Sequence, residues 1–379
     1  MPNYLIKVLI TSTLVWRCMA LTPPVMLVLP LAGDTPTALP IRATISEESF
    51  AIGFSDTLKS AGKPFWSEAS AILFDGKSLL VAHDKPMPDG RSSVGRWPGL
   101  HDAALQPPAY FTGDVFKKGI KYEEMTQSPD KKWTFLTIAF DRVKEGSADW
   151  DGYNMLLCWP SGKPADVAVL GNNGKGTSVA LRDKISSALA LNDLNYFGVV
   201  RYFKIEGLAA TADRLIVGVR EAGNSYQDFK YVTRLLSIPY EVVGQGTNQH
   251  VELIGGFDVL ATVNVAAQVP DQLPPNLALS SIKFDRGRGI FWIMTTFETP
   301  DAVGSYLWTA TEAELKVGRM NLVRTPDDEP LRLTHKAEDM TFLNPKSLLI
   351  IHDDDRLPTQ INGTIRKPNQ AACTVLAIE

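Results

Sequence analysis

The sequence has few cysteines and no surplus of positive charge. It contains three cysteines in 379 residues, and its formal net charge is −4. A scaffold held by many disulfides is therefore excluded, and a weakly acidic chain has no basic field to attract nucleic acid. We expect no nucleic-acid partner. Cys158 and Cys373 lie in apolar, strand-like runs, so we expect buried free thiols rather than a disulfide.

The common sequence signatures of catalysis are also missing. There is no nucleophile elbow, no Cys/His pair, no zinc-ligand spacing and no dinucleotide fingerprint. The glycine-rich segment 171–177 lacks the Gly-Lys-Ser/Thr ending of a phosphate loop because Gly176 intervenes. Composition and motifs therefore leave open whether the protein is an enzyme.

A long apolar stretch occurs at the N-terminus. The first 32 residues carry Lys7 and Arg17 as their only charges, and an apolar run extends from Met19 to Ala32. This pattern predicts a signal peptide over residues 1–32 and a periplasmic or secreted protein. The alternatives are an uncleaved anchor or an incorrectly assigned start. Pro23-Pro24 makes a continuous spanning helix unfavourable, so we expect no stable membrane span after the signal is removed.

A weak internal repeat follows. Each copy has a short strand, a turn rich in Asp, Gly, Pro and Lys, and a second strand, which is the pattern of a β-hairpin. In four copies a glutamate stands at the start of the first strand, and in the remaining copy a serine replaces it. These residues are Glu68, Glu123, Glu206, Ser280 and Glu338.

The spacing of the repeats predicts an all-β protein, a β-propeller of four-stranded blades in a single domain over residues 45–379. Five blades fit directly, and a sixth would need a blade whose repeat is not visible. The segment 44–54 precedes the first copy, so it could close the ring as the outer strand of the last blade. Residues 178–191 have apolar side chains at helical spacing, which predicts a short inserted helix. A β-sandwich is the alternative fold.

The first strand of every propeller blade lines the channel, so equivalent positions form a ring around the axis. The sequence therefore predicts that four glutamates lie together at one mouth of the channel. The second strand returns to the same mouth and brings further charged side chains and two histidines. The candidate metal ligands are Glu68, Glu123, Glu206, Glu338, Asp84, Asp141 and Asp353, and the candidate catalytic residues are Arg220, His83 and His352.

Several carboxylates at close range repel one another, and a bound cation relieves the repulsion. Oxygen ligands from separate strands favour Ca²⁺. The competing interpretation is structural, with each glutamate bonded to backbone amides of its own blade. The long segments 85–108 and 160–201 are expected as loops above this mouth, where a small-molecule or protein ligand would bind.

Two short segments resemble known propellers. Residues 206–209 with 215–220, and Glu338-Asp339-Met340 with residues 352–355, resemble a bacterial β-propeller family of unknown function. More distantly they are similar to the esterase-like phytase and gluconolactonase (regucalcin-like) propellers. In the latter group an entry glutamate followed by glycine binds a divalent metal, so the resemblance implies that role for Glu206 or Glu68.

Two functions follow as hypotheses. The first is a metal-dependent hydrolase of phosphoesters or lactones, in which the metal polarises an ester oxygen and Arg220 or Arg201 neutralises an anionic group. The second is a non-enzymatic propeller that binds a protein, a glycan or a small ligand.

Overall fold

The computed structural model describes residues 40–55, 57–172, 174–191, 199–268, 273–274, 276–299, 302–355, 357 and 359–379. The predicted signal peptide lies outside these ranges and stays a prediction. Within them, no helix is both long enough and apolar enough to cross a bilayer.

The described residues form five sheets of four or five strands, each a blade of a β-propeller. One long strand and a small hairpin precede the blades: β1 (Ala43–Ile52), β2 (Lys59–Ser60) and β3 (Lys63–Pro64). The first blade contains β4 (Ala69–Phe74), β5 (Leu79–His83), β6 (Val94–Trp97), the helix α1 (Leu100–Ala103) and β7 (Ala109–Tyr110). The second follows the helix α2 (Asp114–Lys118) and contains β8 (Tyr122–Gln127), β9 (Trp133–Ile138), β10 (Leu156–Pro160) and β11 (Ala168–Val169).

The third and fourth blades each have an outer edge shared by two short strands. After the helix α3 (Leu181–Ala190), the third contains β12 (Tyr202–Ala210), β13 (Arg214–Ser225), β14 (Asp228–Val243), β15 (His250–Leu253) and β16 (Asp258–Thr262). The fourth contains β17 (Ala278–Asp285), β18 (Ile290–Glu298), β19 (Val303–Ala310), the helix α4 (Glu312–Lys316), β20 (Asn321–Leu322) and β21 (Arg332–Leu333).

The fifth blade joins the two ends of the domain. It contains β22 (Ala337–Asn344), β23 (Ser347–His352) and β26 (Gln370–Ile378), with the small hairpin β24 (Gln360–Ile361) and β25 (Thr364–Ile365) before its third strand. β1 completes the blade by pairing antiparallel with β26, from Ala43 opposite Ile378 to Ile52 opposite Gln370. The prediction that the segment 44–54 closes the ring is therefore confirmed.

The turns and the apolar runs explain why these hairpins form. In the first hairpin, Gly76 has a φ of +94°, which an L side chain rarely adopts. The Asp75 carboxylate accepts the backbone N–H groups of Lys77 and Ser78 at 2.9 and 2.7 Å and so fixes the turn. The following strand is buried along its whole length, as expected for a strand with a neighbouring blade on each face.

The core lies between the blades. The five first strands β4, β8, β12, β17 and β22 contact one another in a closed ring. Five apolar clusters fill the five spaces between neighbouring blades. Cys158 and Cys373 belong to two of these clusters and are buried free thiols, as predicted. The predicted helix is confirmed as α3, which packs between the second and third blades.

The expectation that residues 85–108 form one long loop is wrong. This segment contains β6, a central strand of the first blade, and α1. Trp97 in β6 is 1% exposed, so it belongs to the core and not to a wall above the mouth. The segment 160–201 similarly contains the outer strand β11. Short strands carry little sequence periodicity, which is why both were mistaken for loops.

Candidate active site at the channel mouth

The first strand of every blade, which is its inner strand, has a β-bulge at the same place. At this place in each first-strand to second-strand pairing, the register skips one residue of the first strand, which is left without a partner across the ladder. The skipped residues are Ser70, Glu123, Glu206, Ser280 and Glu338. A bulge turns the extra side chain out of the regular alternation, so these five positions are equivalent around the channel.

The bulge corrects one part of the predicted repeat. Ser70, and not Glu68, occupies the equivalent position in the first blade. Glu68 precedes β4, and its carboxylate pairs with the ammonium group of Lys85. The prediction aligned Glu68 with the glutamates of the other repeats, although the equivalent residue, Ser70, lies two positions later. The error arose because Glu68 has the same residue type as the other glutamates and Ser70 does not. The ring therefore holds three glutamates and two serines.

The structure brings three of the predicted metal ligands together. Each of Glu123, Glu206 and Glu338 offers an oxygen, and these oxygens all lie within 4.8 Å of one another. The three residues are 4%, 3% and 8% exposed, respectively. Oxygen Oε1 of Glu123 is buried and accepts no hydrogen bond in the part of the chain that the structure describes.

Three cations surround the glutamates. Arg220 donates to Oε2 of Glu206 at 2.8 Å, and the Lys204 ammonium bonds to the same carboxylate. Lys204 Nζ also lies 3.4 Å from Oε1 of Glu123, and Lys336 Nζ lies 3.2 Å from Glu338. The cluster is thus a compact array of alternating charges.

The surroundings separate the pKa values of the three carboxyl groups. Burial raises the pKa of Glu123 well above its usual value, and repulsion from Glu206 and Asp84 adds to the rise, against the attraction of Lys204. Burial likewise raises the pKa of Glu338, which Lys336 only partly opposes. Burial also acts on Glu206, but Arg220 and Lys204 outweigh it and lower its pKa to about 2. At neutral pH the carboxylate of Glu206 is therefore ionised, and it lies beside two carboxyl groups, Glu123 and Glu338, whose ionisation is disfavoured.

The predicted acids of the second strands occupy different positions. Burial raises the pKa of Asp353 well above its usual value, and Glu338 repels it while Lys336 attracts it, so it adjoins the cluster. Asp84 acts on Glu123 and Lys204 through its charge. Asp141 lies beyond the end of β9, two residues past the position equivalent to Asp84, and pairs with Lys121 at 3.1 Å and Arg142 at 2.6 Å.

The two candidate histidines are equivalent in the repeat but face other neighbours. His83 and His352 each pair with the residue before the bulge. His83 packs against Phe54 and Tyr110, and His352 is hydrogen-bonded to Thr374 at 2.8 Å. Burial lowers their pKa values to about 4 and about 3, so both rings are neutral at pH 7. Neither makes a hydrogen bond or ion pair with the glutamates among the described residues.

Sequence reasoning missed the lysines of the site, although a signal was present. A Lys-x-Glu motif ends on the bulge glutamate in three blades, at 121–123, 204–206 and 336–338. Because side chains alternate along a strand, residues two apart share a face. The motif therefore predicts a cation beside each glutamate, and the structure shows ion pairs of this kind for Lys204 and Lys336.

A second layer of charges below the glutamates was also missed. Glu124 accepts hydrogen bonds from Ser281 Oγ at 2.7 Å, from the backbone N–H of Ile282 at 3.0 Å and from that of Leu208. Asp339 accepts the backbone N–H of Ile72 at 2.8 Å and of Met125 at 3.3 Å.

The ammonium group of Lys283 lies between these two carboxylates, 2.5 Å from Glu124 and 2.7 Å from Asp339. Glu124, Asp339, Lys283 and Ser281, which we call the channel plug, therefore connect the first strands of all five blades. All four residues are 4% exposed or less.

Comparison with known proteins gives no family. No protein-family profile and no curated protein sequence matches the chain. Solved structures do match at low similarity. One is the α-L-arabinofuranosidase PaAbf62A from Podospora anserina in complex with cellotriose, with 10% identity and a TM-score of 0.46 over 90% of this chain and 97% of that one.

The GH62 α-L-arabinofuranosidase of Coprinopsis cinerea has 10% identity and a TM-score of 0.43, with 89% of this chain and 97% of that domain covered. PhoX from Pseudomonas fluorescens, in complex with vanadate, has 9% identity and a TM-score of 0.39, with 88% and 75% covered. At this distance the likenesses assign no activity. The resemblance to phytases and gluconolactonases stays a prediction.

Proposed function

We propose that the protein is a hydrolase that uses a divalent metal ion held by Glu123, Glu206 and Glu338. The observation that carries the proposal is that Oε1 of Glu123 is buried and accepts no hydrogen bond from the described residues, in a residue whose carboxylate lies close to two others. A buried acceptor without a donor costs about 1–3 kcal/mol, and more when it is charged. A cation would remove this cost.

The spacing of the oxygens fits a calcium ion. Ca²⁺ binds oxygen at about 2.3–2.6 Å, so two ligands of one ion are at most about 5 Å apart. The three glutamate oxygens lie within 4.8 Å of one another, which meets that limit. Asp353, whose pKa is raised by burial and by the charge of Glu338, is a further candidate ligand.

A metal ion would also explain why two carboxyl groups with raised pKa values are buried together. The raised pKa values of Glu123 and Glu338 would fall when a divalent cation binds, because opposite charge favours the ionised form. When bound, the ion would polarise the oxygen of a phosphoester or lactone. Arg220 keeps Glu206 ionised and in place, and Lys336 adds positive charge where an anionic substrate would enter. His83 and His352, as neutral rings that face other neighbours, become secondary candidates for catalysis.

The partner that suits this site is a small molecule that reaches the mouth of the channel. We propose a periplasmic or secreted location on the basis of the N-terminal sequence, together with calcium as the ion, since millimolar calcium is available to extracellular modules.

The decisive experiment is thermal denaturation with CaCl₂ and with EDTA, followed by a screen of phosphatase, esterase and lactonase substrates. Binding stabilises the native state by about 2.7 kcal/mol at a ligand concentration 100 times the Kd. We expect Tm to rise with calcium in the native protein and in the exposed control Glu241→Gln, and to rise less in Glu123→Gln. Turnover should require the ion. Equal Tm values in calcium and EDTA would contradict the metal site.

One observation favours the second candidate, a non-enzymatic binding propeller. Lys204 already contacts both Glu206 and Glu123, so its ammonium group is placed to compete with a metal for these oxygens. If the metal has no effect and no substrate turns over, the cluster is a structural charge network, and the mouth is a ligand-binding surface alone.

A further inference from the structure

The end of the channel opposite the glutamates contains a separate cavity of about 420 Å³. Its lining comes from the ends of four inner strands and the turns that follow them. The buried channel plug lies between this cavity and the glutamates, and its carboxylates, hydroxyl and ammonium group are bonded to one another and to backbone groups. The two ends of the channel are therefore distinct sites.

The repeat builds this cavity as it builds the mouth. Four residues after the bulge, three of the five inner strands carry phenylalanine: Phe74, Phe284 and Phe342. All three line the cavity and are partly exposed. In the other two blades the equivalent residues are Gln127, which also lines the cavity, and the buried Ala210. The repeat therefore places three phenylalanine rings at the same level, where they form an apolar floor for the cavity.

The rim of the cavity is positively charged. Lys131, Arg286 and Arg288 line it together with one acid, Asp285. Arg288 pairs with Asp285 at 2.8 Å. Arg286 donates to the backbone oxygen of Pro129 at 3.1 Å, and neither it nor Lys131 has an ion-pair partner within the described ranges. Two cations on the rim are therefore not balanced by carboxylates.

We propose that this cavity binds a small organic anion that carries an apolar ring, with the ring on the phenylalanines and the acidic group toward Lys131 and Arg286. The volume lies within the range of small-molecule sites, about 300–1,000 Å³. Aromatic lining recognises the ring, and a guanidinium group is suited to a planar carboxylate or a sulfonate. This site does not depend on the hydrolase proposal because the channel plug separates the two ends.

The test uses 8-anilinonaphthalene-1-sulfonate, an anionic ring probe, and N-phenyl-1-naphthylamine, its uncharged counterpart, with fluorescence titration of the full chain. We expect saturable, stoichiometric binding of the sulfonate. In Lys131→Gln/Arg286→Gln its Kd should rise at least fivefold, while Lys59→Gln/Lys163→Gln, which removes two exposed charges elsewhere, should leave it unchanged. Phe284→Leu should weaken both probes, and Glu206→Gln should weaken neither.

Circular dichroism melting of each variant shows that the fold is retained. Absence of sulfonate binding, an equal loss in the control pair, or equally tight binding of the uncharged probe would overturn the proposal. An effect of Glu206→Gln on the probe would likewise overturn it, because the probe would then occupy the glutamate end.

Discussion

Glu123 and Glu124 are neighbours in β8, but they differ in their hydrogen-bond partners. Glu124 is bonded by Ser281, Lys283 and the backbone of two other blades. Glu123 has an oxygen without any hydrogen bond and a lysine 3.4 Å away. Residue type and burial are the same in both, so completeness of hydrogen bonding is what separates a structural acid from a candidate functional one.

The same contrast holds between the two layers that contain them. The channel plug joins strands from all five blades through acceptors that are filled by donors, and it resembles the interior of a stable core. The glutamate layer, one residue above, is produced by bulges and leaves acceptors unfilled. Bulges at barrel rims and near active sites re-aim side chains in this manner.

The largest effect is expected from breaking the lower layer. Glu124→Gln leaves Lys283 with one carboxylate and sets an amide N–H₂ against backbone donors, and loss of one partner of a buried pair costs about 3–5 kcal/mol. Urea denaturation measures the loss. Glu123→Gln is the matched neighbour and should not be destabilised in this way, because Oε1 of Glu123 accepts no hydrogen bond from the described residues. A Glu124→Gln variant as stable as the native protein would show that the plug is not structural.

The next effect concerns metal affinity in the upper layer. Glu123→Gln replaces a charged ligand by a neutral one, so we expect the Kd for Ca²⁺ in isothermal titration calorimetry to rise at least tenfold, about 1.4 kcal/mol. Asp141→Asn, whose carboxylate is already paired with Lys121 and Arg142, is the control and should retain the native Kd. Equal loss in both would mean that calcium responds to overall charge.

A smaller effect of opposite sign is expected at Lys204. Its ammonium group contacts Glu206 and lies near Glu123, so it competes with a cation for the same oxygens. Lys204→Met keeps most of the length of the side chain and removes the charge, and calcium should bind severalfold more tightly. Weaker binding in this variant would indicate that Lys204 organises the site and does not compete for it.

The last comparison is of the pH dependence of stability, measured without metal. The pKa of Glu206 is lowered to about 2, so its charge stabilises the fold above the unfolded-state value of about 4.5, and that stability is lost as the pH falls toward 2. Glu206→Gln should therefore be destabilised at pH 7 and approach the native protein in acid.

Glu123 should show the reverse trend. Its pKa is raised, so its contribution is fully present below about 4.5 and is lost as the pH rises through the folded-state value. Glu123→Gln should gain stability relative to the native protein as the pH rises above about 4.5. Parallel pH profiles for the two variants would contradict the assignment of opposite shifts.

Much of the fold could be predicted from the sequence because the hairpins depend on local patterns of apolar and turn-forming residues. Paired apolar strands with Asp-Gly-Lys or Asn-Pro-Lys turns specify hairpins, and their recurrence specifies blades. The segment 44–54 could be assigned to the last blade because a ring needs its first and last strands to meet, and β1 pairs with β26 accordingly. The identity of Glu123, Glu206 and Glu338 as matching residues also followed from the repeat.

Tertiary structure decided what these residues do. A bulge adds one residue to a strand, so sequence spacing alone did not reveal that Ser70 replaces Glu68 in the ring. The partners of Asp339 and Glu124 lie in other blades, with Ile72 separated from Asp339 by 267 positions. No local pattern encodes such contacts, because they exist only once the blades have closed. The sequence determines which side chains can be charged, and the closed ring of blades determines which of them form hydrogen bonds or ion pairs.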